Sequence, residues 1–345
     1  MAESPPFPSF PVRDLKLEAL TKFAHQDWDF PSTKNPKLEP VLQSLRTNAV
    51  RVRFLILLPT QIAGAMALTQ RASDLAEYDL TGKLSREPLV PEIAAGVEKH
   101  RMEMLETYEQ ERLKNRGTPE WDKDVGAFHI DAAKSLLGLA EIPLGAMMLV
   151  QTFPAHVVSA WTAIETTLGD LWEAALNCHP AILASLKGKA TRIGSSSDKS
   201  ETERRPPRGE DEQKSVPIHL IAMNQFDLRS SMGTVFRRQR RFEFIRLSSI
   251  REAYSCAFSD KSSRIDAALQ SKTLDALSAV RNAIVHRGGY ADAEYVRQST
   301  YLKIPKTALG TPIHLDGQIV AALIGDAFAA LKNLFIAVDD WIEQN

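Results

Sequence analysis

The sequence predicts an all-α protein of 345 residues. Three observations lead there. Apolar residues recur at helical rather than alternating spacing: Val157, Trp161, Ile164, Leu168, Leu171, Trp172 and Ala175 share one face at about 100° per residue. Prolines and glycines stand where helices begin and end, as at Pro40, Pro91, Gly117 and Pro154. Alternation is confined to Tyr301–Ile304 and Pro312–Leu315, separated by a Pro/Gly-containing loop, which predicts one small β-hairpin.

Composition narrows the class. Apolar residues make up 44% and charged residues 25%, the balance of a soluble globular chain. A net charge of −1 excludes a global basic field, so any nucleic-acid site has to be a local patch. Cys178 and Cys256 form no CxxC pattern and build no disulfide framework, as in a reducing cytoplasm. The opening MAESPPFPSFPVRD has neither a charged n-region nor an apolar h-region, so no signal peptide is expected. The apolar stretches Phe54–Leu68 and Leu136–Val150 each run fifteen residues, short of the ~20 that a membrane span needs. They predict buried core helices, a cytoplasmic protein and no membrane partner.

In chain order, residues 1–40 are proline-rich with little periodicity and predict an irregular arm. Residues 41–150 predict a helical extension: a long helix from Val41 to Tyr78, an exposed charged helix over 91–116, and a third from Asp131 to Val150. Residues 151–345 predict a helical bundle. Pro154 opens its first helix, whose flank carries Glu165. Residues 187–216 turn polar and charged, with Pro-Pro and Gly, and predict a flexible insert. Short helices follow over Pro217–Leu228 and Phe244–Ala257. A longer one runs from Lys272, and a closing helix runs from Gly317 to Ile342.

The stretch that bears on function is SAVRNAIVHRGGY, Ser278–Tyr290. Leu269, Leu277, Val280 and Ile284 define an apolar stripe, and Arg281 lies about 80° from its centre. An unpaired guanidinium there is costly, so Arg281 requires an acidic partner or an anionic ligand. Glu165, flanking the stripe of its own helix, is the best-placed candidate. Asn282 and His286 share a face, whereas Arg281 and His286 stand about 140° out of phase on an unbroken helix. Either the helix breaks near His286, as Gly288–Gly289 permits, or the two act from different chains.

These residue types fit phosphodiester cleavage in RNA. Histidine moves protons near neutral pH. Arginine binds phosphate and stabilises transition-state charge. The 2′-hydroxyl serves as nucleophile, so the chemistry requires no cofactor and no metal. No phosphate-loop or nucleophile-elbow motif is present.

Arg281-Asn282-Ala283-Ile284-Val285-His286 resembles the R-N-x-x-x-H signature of the HEPN superfamily. The surroundings are similar too: an earlier long helix bearing a polar residue, short helices, the signature helix, a Gly-Gly turn and a long closing helix. The resemblance covers residues 154–345 and leaves 1–150 outside. It implies a HEPN-like bundle that dimerises around the signature, and a metal-independent endoribonuclease of bacterial stress response or phage defence. It also implies RNA as substrate and an antitoxin or regulatory protein as partner. Arg281 would contact the scissile phosphate, Asn282 orient it and His286 transfer a proton, with Glu165 a loose match to the family's helix-borne polar residue. Other members are inactive modules that bind a nucleotide or a partner protein. Two plainer readings also stand: Arg281 as a structural ion pair, and His286 as a solvent-facing cap at a helix C-terminus.

FRRQRRFEFIR, Phe236–Arg246, gathers Arg237, Arg238, Arg240, Arg241 and Arg246 among three phenylalanines. With Arg287 these are candidate RNA contacts. The phenylalanines are expected to anchor the next helix in the core.

Overall fold

The computed structural model of the protein describes residues 15–26, 28–85, 88–184, 186, 216, 218–239, 242–258 and 262–345. Among them every regular element is helical: α1 Leu17–His25, α2 Glu39–Thr81, α3 Pro91–Lys114, α4 Pro119–Ala140, α5 Pro143–Cys178, α6 Pro180–Leu183, α7 Ile218–Ala222, α8 Met232–Arg238, α9 Leu247–Phe258, α10 Ser263–Leu269, α11 Lys272–Arg287, α12 Ala293–Gln298 and α13 Gly317–Gln344. The chain divides into two compact units. The first takes residues 1–25, 53–153 and 316–318, and the second takes 26–52, 154–315 and 319–345. The insert expected at 187–216 lies outside the described residues apart from position 216.

Several elements differ from expectation. Within the segment expected to be an irregular arm, Leu17–His25 form a helix, because Leu20 and Ala24 are spaced to bury one face. Pro143, not Pro154, opens α5; Pro154 sits inside a continuous helix. The hairpin is absent among the described residues. Tyr301–Ile304 form turns and bends, and one antiparallel bridge joins Tyr290 to Pro312 instead.

In the first unit, the close approach of α2 to α4 depends on Gly64. A Cβ there would stand 2.6 Å from the Phe128 ring and 3.0 Å from Ala132. Arg53 donates from Nε to Ala24 O at 2.8 Å, and Arg71 pairs with Asp131 at 3.1 Å. The apolar stretches expected in the core are only half covered. Ile56, Leu57, Ala63 and Leu136 are buried, whereas Phe54, Leu58, Ile62, Met66, Leu137 and Leu144 are exposed. The helix is apolar all round, and only the side toward α4 has cover. By length and composition α2 and α13 could each cross a membrane: the best 18-residue windows have mean hydropathies of 1.5 and 1.8. α2 runs past Phe54–Leu68, the stretch read as too short, whereas Leu136–Val150, expected within one helix from Asp131, is divided by the break between α4 and α5 at Pro143. No buried residue lies on α3, which is charged all round.

The second unit is built on aromatic side chains with polar tips. Trp172 donates from its indole to Ala253 O at 3.0 Å, and Tyr254 donates from its hydroxyl to Leu168 O at 2.8 Å. These bonds tie α5 to α9. Phe258 packs edge-on against Trp341, which brings in α13. Arg251 grips Asp275 at 2.7 and 3.1 Å and donates from Nε to Leu269 O, holding α11 to α9.

Asp339, 4% exposed on α13, fastens the segment before α2. It accepts from Thr33 Oγ1 at 2.9 Å, from the Asn35 amide at 3.1 Å and from the Lys34 amide at 2.7 Å. Asp339→Ala leaves the Lys34 amide without its partner, while the Asn35 amide keeps Thr33 Oγ1, and is expected to cost about 2 kcal/mol of unfolding free energy, read by urea titration. His156, buried on α5, has an Nδ1 without a partner, and burial holds its pKa down at about 4 against the usual 6.5. The folded state therefore prefers the neutral ring. That stability is complete above pH 6.5 and is lost as pH falls toward 4, up to about 3 kcal/mol. Denaturation of His156→Gln at the two pH values should show a shallower fall than wild type.

Candidate functional site

The signature lies on α11. Ser271 caps its start, accepting from the Thr273 amide. Leu274, Leu277 and Val280 bury one face, so Arg281 emerges at the edge of the core, part-buried, while Asn282 and His286 are exposed. Gly288 ends the helix in the left-handed region at φ 62°, and the Gly289 amide donates back to Ala283 O at 3.0 Å. This is the geometry that favours glycine at a helix C-terminus.

The turn beyond is pinned by its neighbour segment. The Ala291 amide donates to Thr311 O, the Gly310 amide to Ala291 O and the Ile313 amide to Gly289 O. Asp292 then caps α12, accepting from the Tyr295 amide at 2.8 Å. Its other carboxylate oxygen takes the Arg287 guanidinium at 3.0 Å. The short helix α12 thereby becomes a wall facing α11.

Between α11, α12 and the start of α9 runs a groove of about 550 Å³. Arg281, Asn282, His286 and Arg287 line it from α11, Arg246 and Ser248 from the start of α9, and Glu294, Arg297 and Gln298 from α12. Arg281 and His286 meet within one chain. Arg281 Nη1 lies 3.5 Å from His286 Nε2 and donates to Asn282 Oδ1 at 3.0 Å. Neither a helix break before His286 nor a second chain is required, because α11 is continuous through His286 and the long arginine side chain spans the angular gap. A guanidinium donates only, so this contact is favourable when His286 Nε2 is unprotonated.

Glu165 stands behind Arg281, not in the groove lining. It is half-buried on α5. Burial raises its carboxyl above the usual range, while the Arg281 charge and the Trp161 indole pull the other way. Trp161 Nε1 is buried and makes no hydrogen bond, so its N–H dipole favours the carboxylate from a longer distance. Arg281 Nε is also buried without a partner.

The basic stretch after α8 is divided. Arg237 is drawn into the protein, pairing with Asp170 at 2.5 Å and Glu173 at 2.9 Å, with its guanidinium 5.9 Å from the Phe244 ring centre. Burial opposes its charge, but the two carboxylates hold its pKa up. It lines no part of the groove and ties α8 to α5. Arg238 is exposed at the end of α8, away from the groove lining, and Arg240 and Arg241 lie outside the described residues. Of the three described, Arg237, Arg238 and Arg246, only Arg246 lines the groove. Phe236 is buried, and Phe242 and Phe244 pack on Trp172, as core anchors do.

Sequence reading missed Ser248, Asp292, Glu294, Arg297 and Gln298. The six residues of α12 are too few to show a period. The one available signal is Asp292, a capping residue three positions before Tyr295. Among the described residues, no group of three or more His, Cys, Asp or Glu side chains could hold a metal ion.

The raised pKa of Glu165 gives a test of its surroundings. The fold favours the neutral carboxyl, so wild type loses stability as pH rises from about 4.5 through the raised value. Glu165→Gln should melt higher than wild type at pH 8, and the gap should close toward pH 4 in a thermal-denaturation series. Compared with known proteins, this chain matches no protein-family model, no curated protein and no solved structure.

Proposed function

We propose that this protein is a HEPN-like, metal-independent endoribonuclease that cleaves RNA by attack of the 2′-hydroxyl. The observation that carries the reading is the 3.5 Å approach of Arg281 Nη1 to His286 Nε2 in an open groove that also presents Arg246, while Arg287 and Arg297 in its lining are paired with Asp292 and Glu294. A charge donor and a proton acceptor then reach the same phosphodiester. Asn282 accepts from Arg281 and keeps its amide N–H groups for a phosphate oxygen.

In the proposed step His286 takes the proton of the 2′-hydroxyl as O2′ bonds to phosphorus. Arg281 stabilises the negative charge on the non-bridging oxygens. The P–O5′ bond breaks, leaving a 2′,3′-cyclic phosphate on one product and a 5′-hydroxyl on the other. The leaving oxygen needs a proton, and one imidazole cannot be base and acid in the same step. A homodimer through α11, supplying a second His286, meets that need. The Arg246 guanidinium has no hydrogen bond or ion pair among the described residues and is the groove cation most available to the flanking RNA backbone. Glu165 acts through Arg281 as a positioning residue.

The second reading, a non-catalytic module that binds a nucleotide or a regulatory protein, uses the same groove and separates by product. Purified protein incubated with RNA in EDTA is expected to release fragments with 2′,3′-cyclic phosphate ends. Arg281→Ala and His286→Ala, folded by circular dichroism, should each slow cleavage by at least ~100-fold. Intact RNA with folded wild type overturns the nuclease reading. A nucleotide-dependent thermal shift without cleavage supports the binding module.

A further inference from the structure

The wall that α12 gives the groove is poorly suited to phosphate. Arg297 lines it, but one edge of its guanidinium is closed: Nε donates to Glu294 Oε2 at 2.9 Å and Nη2 donates to Glu294 Oε1. A guanidinium held in such a planar fork offers no donor to a second anion along that edge and keeps its flat faces. Tyr301, 50% exposed just past α12, has its ring centre 6.0 Å from that guanidinium. Flat groups of this kind stack on nucleobases, all of which have a π-face. Ile245, 57% exposed, adds apolar area to the same groove, which a phosphate does not use and a base does.

A hydrogen-bonding group of fixed sense stands beside the flat one. Gln298 also lines the groove, and its Nε2 donates to Glu294 Oε1 at 2.7 Å. A carboxylate only accepts, so it decides which end of the amide it takes: the nitrogen is held and the oxygen is left over. Gln298 Oε1 accepts no hydrogen bond among the described residues. Glu294, Arg297 and Gln298 stand at i, i+3 and i+4 of α12, so one carboxylate orients both neighbours on a single face. An unmatched acceptor prefers a partner that offers N–H. Adenine and cytosine carry an exocyclic amino group where guanine and uracil carry a carbonyl oxygen.

We infer that Arg297 and Gln298 form a nucleobase subsite in the groove that holds Arg281 and His286. The Arg297 plane stacks a base, and Gln298 Oε1 selects the amino bases, adenine and cytosine, over uracil. The inference rests on the reading of the groove as an RNA site and adds a determinant of which nucleotide is bound there. Glu294 acts through Arg297 and Gln298 as a positioning residue.

Binding of strands that cannot be cleaved tests it without requiring turnover. Tetranucleotides of deoxyadenosine, deoxycytidine and deoxyuridine lack the 2′-hydroxyl, and fluorescence anisotropy of an end label reads their affinities. Wild type is expected to bind the adenine and cytosine strands about 10-fold more tightly than the uracil strand, the ratio that one hydrogen bond gives. Gln298→Leu should abolish that preference, and Gln298→Lys, which can only donate, should invert it. Arg297→Lys keeps the charge and loses the plane, so it should weaken all three strands by at least ~5-fold with the preference kept. Arg281→Ala should also keep the preference. All variants are compared as proteins folded by circular dichroism. Equal affinities in wild type, no binding of any strand, a preference that survives Gln298→Leu, or an Arg297→Lys protein that binds as wild type does each overturn the inference. The nuclease reading fails separately: a preference that depends on Gln298, in a protein that leaves RNA intact in EDTA, supports the base subsite and removes the cleavage.

Discussion

A guanidinium at the edge of an apolar helix face must find something to hold it, and the way Arg281 is held organises the whole site. Its Nε is buried without a partner, and Glu165 behind it is pushed toward the neutral form by burial. The remaining contacts lie forward, to Asn282 and to His286. Arg281 is therefore anchored by its stem and open at its tip. An ordinary structural arginine looks different, and the same unit contains one. Arg237 is satisfied from two sides by Asp170 and Glu173. The contrast between the two guanidiniums is what makes one a candidate for ligand contact and the other a fastening.

The frame around Arg281 serves that arrangement. Trp172 and Tyr254 bond α5 to α9, and the Arg251–Asp275 fork bonds α9 to α11. Those ties fix the edge at which Arg281 emerges. The left-handed Gly288 then stops α11 directly after His286 and Arg287, so the imidazole stands on the last turn with solvent before it. Backbone bonds from residues 289–291 to 310–313 set the direction of the chain into α12. A rigid rear and an open front suit the proposed RNA substrate, a flexible polyanion.

The first unit has a different character. Its helices cover one another on one side only, leaving apolar surface on α2 and at the turn between α4 and α5. Exposed Leu and Ile residues occur singly on most proteins, but a row at constant spacing is a structured surface. In this unit the sequence is satisfied only in part by its own fold.

The sequence by itself determined which elements are helices over the long stretches, and where α3, α11 and α13 begin and end. Apolar periodicity and capping residues are local, and they read correctly without partners. It also placed Arg281, Asn282 and His286 together, since they share sixteen residues of one helix. Tertiary structure decided the rest. Helical phase set Arg281 and His286 apart, and a long side chain lying along the groove brought them to 3.5 Å. The identical residue types in FRRQRRFEFIR separated into a fastening, Arg237, and a groove cation, Arg246, because only one of them met carboxylates. The six-residue α12 owes its place to a cap and to the backbone bridge that joins Tyr290 to Pro312 across it. The apolar pattern of Phe54–Leu68 promised burial, but a pattern says which face avoids water and not what covers it. Coverage depends on neighbours distant in the chain, which is information that a local period does not hold.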